Sequence, residues 1–224
     1  YRIDNTQQKL FLLRFCTCQK FNYLMRLFNP RILLPDGNTL GVRIDEILSK
    51  YVLNLLHFER KEALDPFQWE QIRLPVNKGG LGILQANNIH HAAYIGSTLD
   101  CLADMKSIHN LALTQPNIQI RNNNLYVSDN ARVLYDELLY RFPADPERGP
   151  TCLDNFDNIL NGNDHRQFGM TKTIQQIIYE KFIKECTIKT RLRVESCQKE
   201  ATVLITTGAK LDEFYYAEKN RSLI

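Results

Sequence analysis

Three glycines crowd into four positions of an otherwise apolar run, Leu74-Pro75-Val76-Asn77-Lys78-Gly79-Gly80-Leu81-Gly82-Ile83. Glycine inside a helix costs roughly 1 kcal/mol relative to alanine, and a proline drives the residue before it out of the helical region. The run is therefore predicted as a tight, irregular crossing between a helix that ends near Arg73 and one that starts after Ile83. Leu74, Val76, Leu81 and Ile83 anchor it in a core. A phosphate cradle would need a Lys-Ser/Thr pair after the last glycine, or glycines spaced along a strand–helix turn. Here Lys78 precedes the glycines, and no Ser or Thr follows them closely. Pro75, Gly79, Gly80 and Gly82 are therefore read as structural, at a turn that needs positive φ or the close approach of a helix.

Helical periodicity dominates the rest. Leu10, Leu13, Thr17, Phe21, Leu24 and Phe28 recur at three or four residues, predicting one long helix over about 6–28 that Asn29-Pro30 stops. Phe11, Phe15, Cys18 and Met25 widen its apolar face, so this helix is expected to be largely buried, with Arg14, Lys20 and Arg26 on a narrow exposed stripe. A second helix follows from Thr39 to Phe58. Asp65-Pro66-Phe67-Gln68 carries the start signal of a short third, which holds Trp69, read as a core residue. Asn87 to His109 is a fourth, whose Ile89, Ala93, Gly96, Leu99 and Ala103 stripe admits a close neighbour. His90 and His91 are adjacent, point in different directions and are not read as ligands. Ser128 or Asp129 starts a fifth helix to Phe142. A short helix after Cys152 and another over 170–187 follow, and Val203 to Gly208 is left open between a strand and a helix end. The fold class is all-α or nearly so, an irregular multi-helix bundle. The polar break at 116–124 divides it into regions 1–115 and 125–224.

The net charge of +3 is unevenly spread. Residues 1–35 carry +5, residues 181–199 carry +4, and the remainder is acidic. Two basic segments on an acidic body are the pattern of a polyanion-binding surface. No apolar run reaches the roughly 18 residues of a membrane span. Tyr1 is no initiator and no signal pattern follows it, so the chain is expected to be cut from something longer. The six cysteines are scattered, and Cys16-Thr17-Cys18 is too closely spaced for a zinc knuckle. Reduced thiols and an intracellular setting, cytoplasm or nucleus, are the expectation.

Catalytic patterns are missing from the sequence. There is no adjacent Asp pair for a two-metal centre, no His-Glu-x-x-His helix and no Gly-x-Ser-x-Gly elbow. Asp154 and Asp157 read as a solvated helix face, and His165 as part of a polar loop. The segment is not expected to be an enzyme, to hold a metal or to need a cofactor.

Two stretches carry a resemblance. Phe11-Leu12-Leu13-Arg14-Phe15-Cys16, with Phe21-Asn22-Tyr23-Leu24-Met25-Arg26 and Asn29-Pro30, resembles the segment that follows the palm in non-LTR (LINE-type) retrotransposon reverse transcriptases. Trp69, the Leu-Pro-x-x-x-Gly-Gly-Leu-Gly crossing from Leu74 to Gly82, and Ala92-Ala93-Tyr94-Ile95-Gly96-Ser97 come next in the same order. The agreement covers residues 10–100; beyond it only Arg191-Leu192-Arg193 is familiar. The resemblance implies the thumb and post-thumb helices of such a protein. The palm, with its Asp-Asp site and Mg2+, would lie upstream in the same polypeptide and be a partner of this segment. A thumb grips an RNA/DNA duplex by its backbone phosphates. The nucleic-acid-binding candidates are Arg14, Lys20, Arg26 and Arg31, with Arg191 and Arg193 as a second set. The competing reading is a domesticated or decayed transposon remnant that serves as a helical protein-interaction module. It would be favoured if Arg14 and Lys20 were buried against acids such as Glu59 or Asp104.

Overall fold

The computed structural model describes residues 5–56, 66–113, 123–143, 151, 153–156, 159 and 166–207. These residues form helices and no strand; one isolated bridge pairs Leu33 with Thr39. The helices are α1 (Thr6–Leu12), α2 (Cys18–Leu27), α3 (Leu40–Leu55), α4 (Pro66–Arg73), α5 (Ala86–Leu113), α6 (Asn123–Arg141), α7 (Arg166–Glu185) and α8 (Ile188–Thr207). The all-α expectation holds. The open stretch from Val203 to Thr207 is helical, α6 begins one to two turns and α7 about one turn earlier than their sequence signals suggest, and Ser128 and Asp129 lie inside α6. His165, Asp157, Cys152 and Glu59 lie outside the described residues, as does the side chain of Asp104.

The chain forms two compact units, one of Tyr1–Glu62 with Leu84–Ile177 and one of Ala63–Ile83 with Ile178–Ile224. Each is discontinuous in sequence, so the line between them is not the 116–124 break.

In the first unit α5 is the central element, with α2, α3 and α6 packed against it. Ala86, Ile89, Ala92, Ala93, Ile95 and Leu99 are all buried on one half of the helix, and the buried His90 and His91 extend the enclosure around the other. Small residues make this possible. A Cβ on Gly96 would come within 2.8 Å of Gln167 Cβ at the start of α7, so the close approach expected of this stripe is made there. A buried helix start leaves backbone N–H groups needing acceptors. Asp45 of α3 supplies them: Ala86 N–H donates to Oδ1 at 2.8 Å and Asn87 N–H to Oδ2 at 3.2 Å. The α2 end is met from the other side, where His90 Nε2–H donates to the Phe28 carbonyl at 2.8 Å.

Residues 6–27 are one continuous helical rod, as the periodicity predicts, but the register is broken. Leu13–Thr17 is a π-helical turn, in which Cys18 N–H donates to the Leu13 carbonyl. In a regular α-helix residues five apart point about 140° away from each other. The wider turn brings Leu13 and Cys18 to one side, and Met25 continues that buried face. The predicted stripe is corrected accordingly. Leu24 and Phe28 are exposed, and so are Phe11, Leu12, Phe15, Tyr23 and Leu27.

The second unit is built on the glycine crossing. Pro75 leads into a 3-10 turn, Val76–Lys78, and Gly79 follows in the left-handed region at φ 79°. Leu81 N–H donates to Ile72 O at 3.0 Å and Gly82 N–H to Leu74 O at 2.9 Å, so the loop folds back on the end of α4. A Cβ on Gly80 would collide with the carbonyls of Leu74 and Gln71, and one on Gly79 would reach 3.0 Å from Val194 O in α8. Leu74, Phe182 and Val194 form the core, with Ile178, Tyr179 and Ile183 packed around them. Lys78 lies over the Tyr179 ring at 4.6 Å, which accounts for the loop lysine without any phosphate. Trp69 is half-buried, with the Arg73 guanidinium over its ring at 5.7 Å, rather than a fully enclosed core residue.

Two substitutions probe this architecture by urea unfolding. Asp45→Ala should cost about 2 kcal/mol, the upper end for a lost helix cap, with Asp45→Asn costing less because one acceptor oxygen remains. Gly80→Ala should cost about 3 kcal/mol, because backbone oxygens cannot step aside as a side chain would. An unchanged unfolding midpoint for either would show that the contact carries no stability.

Candidate nucleic-acid interface

The six basic candidates do not behave alike. Lys20 and Arg26 are exposed on α2, and no acidic side chain among the described residues pairs with them. Arg14 is half-buried in the π turn. Its guanidinium lies over the Phe15 ring at 5.1 Å, and burial pulls its pKa below the usual arginine value. Arg31 is engaged elsewhere: its Nε and Nη2 both donate to Glu137 Oε1, at 2.9 and 2.6 Å. In the second unit Arg191 pairs with Glu195 at 3.0 Å across one turn of α8, and Arg193 is exposed. The residues that share one open face are thus Lys20 and Arg26, with Arg14 at its buried edge.

That face is more apolar than the sequence reading anticipates. Phe11 and Phe15 stack at 4.5 Å between ring centroids, tilted by 39°. Tyr23 is 62% exposed and Phe15 53%. A depression of about 500 Å3 between Gln19, Lys20, Tyr23 and Leu24 marks the middle of the face. No Asp or Glu occurs from Asn5 to Phe28, so cations and rings alternate there without an internal counter-charge.

A second feature of the first unit is a cavity of about 510 Å3 beside α5 and α6, lined among others by Arg31, His91, Asp136, Glu137 and Arg141. Glu137 is its hub. Besides taking Arg31, it faces His91 Nε2 at 3.3 Å from Oε2. The hydrogen bond from Arg31 holds the Glu137 carboxyl below its ordinary value. His91 is almost fully enclosed. Burial is the main reason its pKa falls to about 4, with the nearby Arg141 charge adding to the effect. His91 is therefore neutral at pH 7. Its Nδ1 finds no partner among the described residues. Arg141 donates through Nη1 to the Asn87 carbonyl at 3.0 Å. Arginines and carboxylates compensate one another here, so the cavity is a polar clamp on the α5 start. The sequence does not single out Glu137. Nothing local marks it, because its partners Arg31 and His91 lie 106 and 46 residues away.

Among the described residues no group of three or more His, Cys, Asp or Glu side chains is placed to hold a metal ion. No described helix is long and apolar enough to cross a membrane. Among the described residues Cys16, Cys18, Cys101, Cys186 and Cys197 form no disulfide. Comparison of the chain with protein-family models, with curated proteins and with solved structures finds no match.

The buried His91 sets a pH dependence. Above pH 6.5 the imidazole is neutral whether folded or not. Between pH 6.5 and about 4 the unfolded chain binds a proton that the folded chain refuses, so stability falls as pH falls through that window. The loss should be about 3 kcal/mol by pH 4. Glu137 adds to it at the acid end, since its contribution is present above its unfolded value and lost as pH falls through the lowered folded one. Urea midpoints at pH 7 and pH 4 should show the fall in the wild-type chain and a much flatter profile in His91→Gln. Equal slopes for the two proteins would remove His91 from the account.

Proposed function

We propose that this chain is a nucleic-acid-binding helical segment, of the kind found in the thumb and post-thumb region of reverse-transcriptase-like proteins. The observation that carries the reading is the open face of α1 and α2, where Lys20 and Arg26 stand clear of acidic partners on a stretch that contains no acid. Backbone phosphates need point charges on a rigid support and no base-edge readout, which helical lysines and arginines supply. The motif order over residues 10–100 points the same way. Arg14 serves this face from its edge, Arg193 is the remaining exposed member of the second set, and Arg31 and Arg191 are occupied by Glu137 and Glu195. On this reading the segment has no catalytic role of its own, and Mg2+ chemistry would belong to an upstream palm.

A protein-interaction module is the second reading, favoured by the exposed aliphatic side chains Leu12 and Leu27 on the same rod and Ile32 and Leu33 in the segment after it. Salt dependence separates the two. Lys20→Gln and Arg26→Gln should each flatten the plot of log affinity against log salt for a primer duplex by about one unit, the signature of one lost phosphate contact. Arg31→Gln should leave the slope unchanged, because its charge is already spent on Glu137. Binding with an unaltered slope in the Lys20 and Arg26 variants would defeat the proposal. Absence of duplex binding at low salt would pass the lead to the protein-interaction reading.

A further inference from the structure

A phosphate grip alone does not explain the aromatic residues of this face. Burying an exposed ring contributes free energy, and leaving rings in water costs it, so a helix meant only for phosphate contacts gains nothing from displaying them. Phe11, Phe15 and Tyr23 lie on the same side of the rod as Gln19, spaced by four or eight residues. The π turn at Leu13–Thr17 is what aims the first two outward, by committing Leu13 to the core. Phe11 and Phe15 lie against one another at a 39° tilt, and the Arg14 guanidinium lies over Phe15, so the three form one aromatic and cationic patch. Tyr23 stands further along the rod from Phe15, about 12 Å at the rise of a helix, with Lys20 between them in sequence.

Resting on the nucleic-acid reading above, we propose that this face takes an unpaired strand, RNA or DNA, whose bases stack on the Phe11–Phe15 pair and on Tyr23, while Lys20 holds the phosphate between them and Arg26 one beyond Tyr23. In a duplex the base faces are already stacked on one another and closed to a flat ring. In a single strand they are open, and every base offers one, so recognition is independent of sequence. The absence of any acid from Asn5 to Phe28 gives the charge complementarity that a polyanion needs and that an apolar protein partner would not.

The test is fluorescence anisotropy of the whole 224-residue chain with two probes. One is a labelled unstructured strand of about 20 nucleotides, long enough for more than one stacking site; the other is the same strand annealed to its complement. The wild-type chain should bind the single strand more tightly than the duplex at equal salt. Replacing Phe15 and Tyr23 together by Leu keeps the face apolar but removes the rings. It should weaken single-strand binding about tenfold or more per lost stack and leave duplex binding unchanged. Phe15→Trp should restore or exceed the original affinity. Both side chains are exposed, and an unchanged thermal melt will confirm that the variants fold. If the leucine pair binds the single strand as well as the wild type while duplex binding persists, stacking is refuted and the phosphate grip survives. If neither probe binds at low salt, both fall together. Self-association of the wild-type chain that the leucine pair lacks, without any binding of either probe, would assign the face to a protein contact and overturn the proposal.

Discussion

The fold of the larger unit depends on satisfying the buried start of α5. A helix whose N-terminus packs against its neighbours has backbone donors in need of acceptors, and one carboxylate from α3 takes two of them. Asp45 also places its acidic group at the positive end of the α5 dipole, so hydrogen bonding and electrostatics act in the same sense. Further along, the small Ala92, Ala93 and Gly96 let neighbouring helices come close to α5. His90 and Arg141 then tie the loop after α2 and the end of α6 to the same region, through the Phe28 and Asn87 carbonyls. Helices far apart in sequence are thereby held to one element by a few directed polar contacts inside an otherwise apolar core.

This arrangement decides which charges remain available. Arg31 and His91 converge on Glu137, and burial keeps His91 neutral. A cluster rich in ionisable groups becomes an internally balanced clamp, with little net field to offer a ligand. On α1 and α2 the outcome is the reverse. No acid is within the stretch, Lys20 and Arg26 stay exposed, and the π turn keeps aromatic side chains outside the core. Cations that look equivalent in the sequence thus separate into structural and free ones according to what the fold brings beside them.

The glycine crossing illustrates how far local chemistry reaches. Its position between two helices, its structural character and its need for positive φ were all legible, because each follows from the conformational limits of Pro75, Gly79 and Gly82 themselves. What α8 does there was not. Val194 closes on Gly79 from more than a hundred residues downstream, and nothing near either position announces the meeting. Likewise Trp69 was read as core from its size, whereas in the structure it is half-buried beneath Arg73.

Sequence alone was sufficient for the all-α class, the positions of the helices before α8 to within one or two turns, the small-residue stripe of α5 and the two basic segments, since periodicity, caps and charge are properties of neighbouring residues; α8 was not among the expected helices. It was not sufficient for the outward face of the first helical rod. Periodicity puts Leu24 and Phe28 on the buried side, but one extra residue in the turn at Leu13–Thr17 rotates everything after it relative to what precedes it, and only contact with α5 selects which face is covered. The partners of Arg31 and the neutral state of His91 were equally out of reach, because they depend on residues brought together across 46 to 106 positions. Helix formation is a local event with local signals; which cation is neutralised and which ring stays in water are consequences of packing, and packing exists only once the chain has closed on itself.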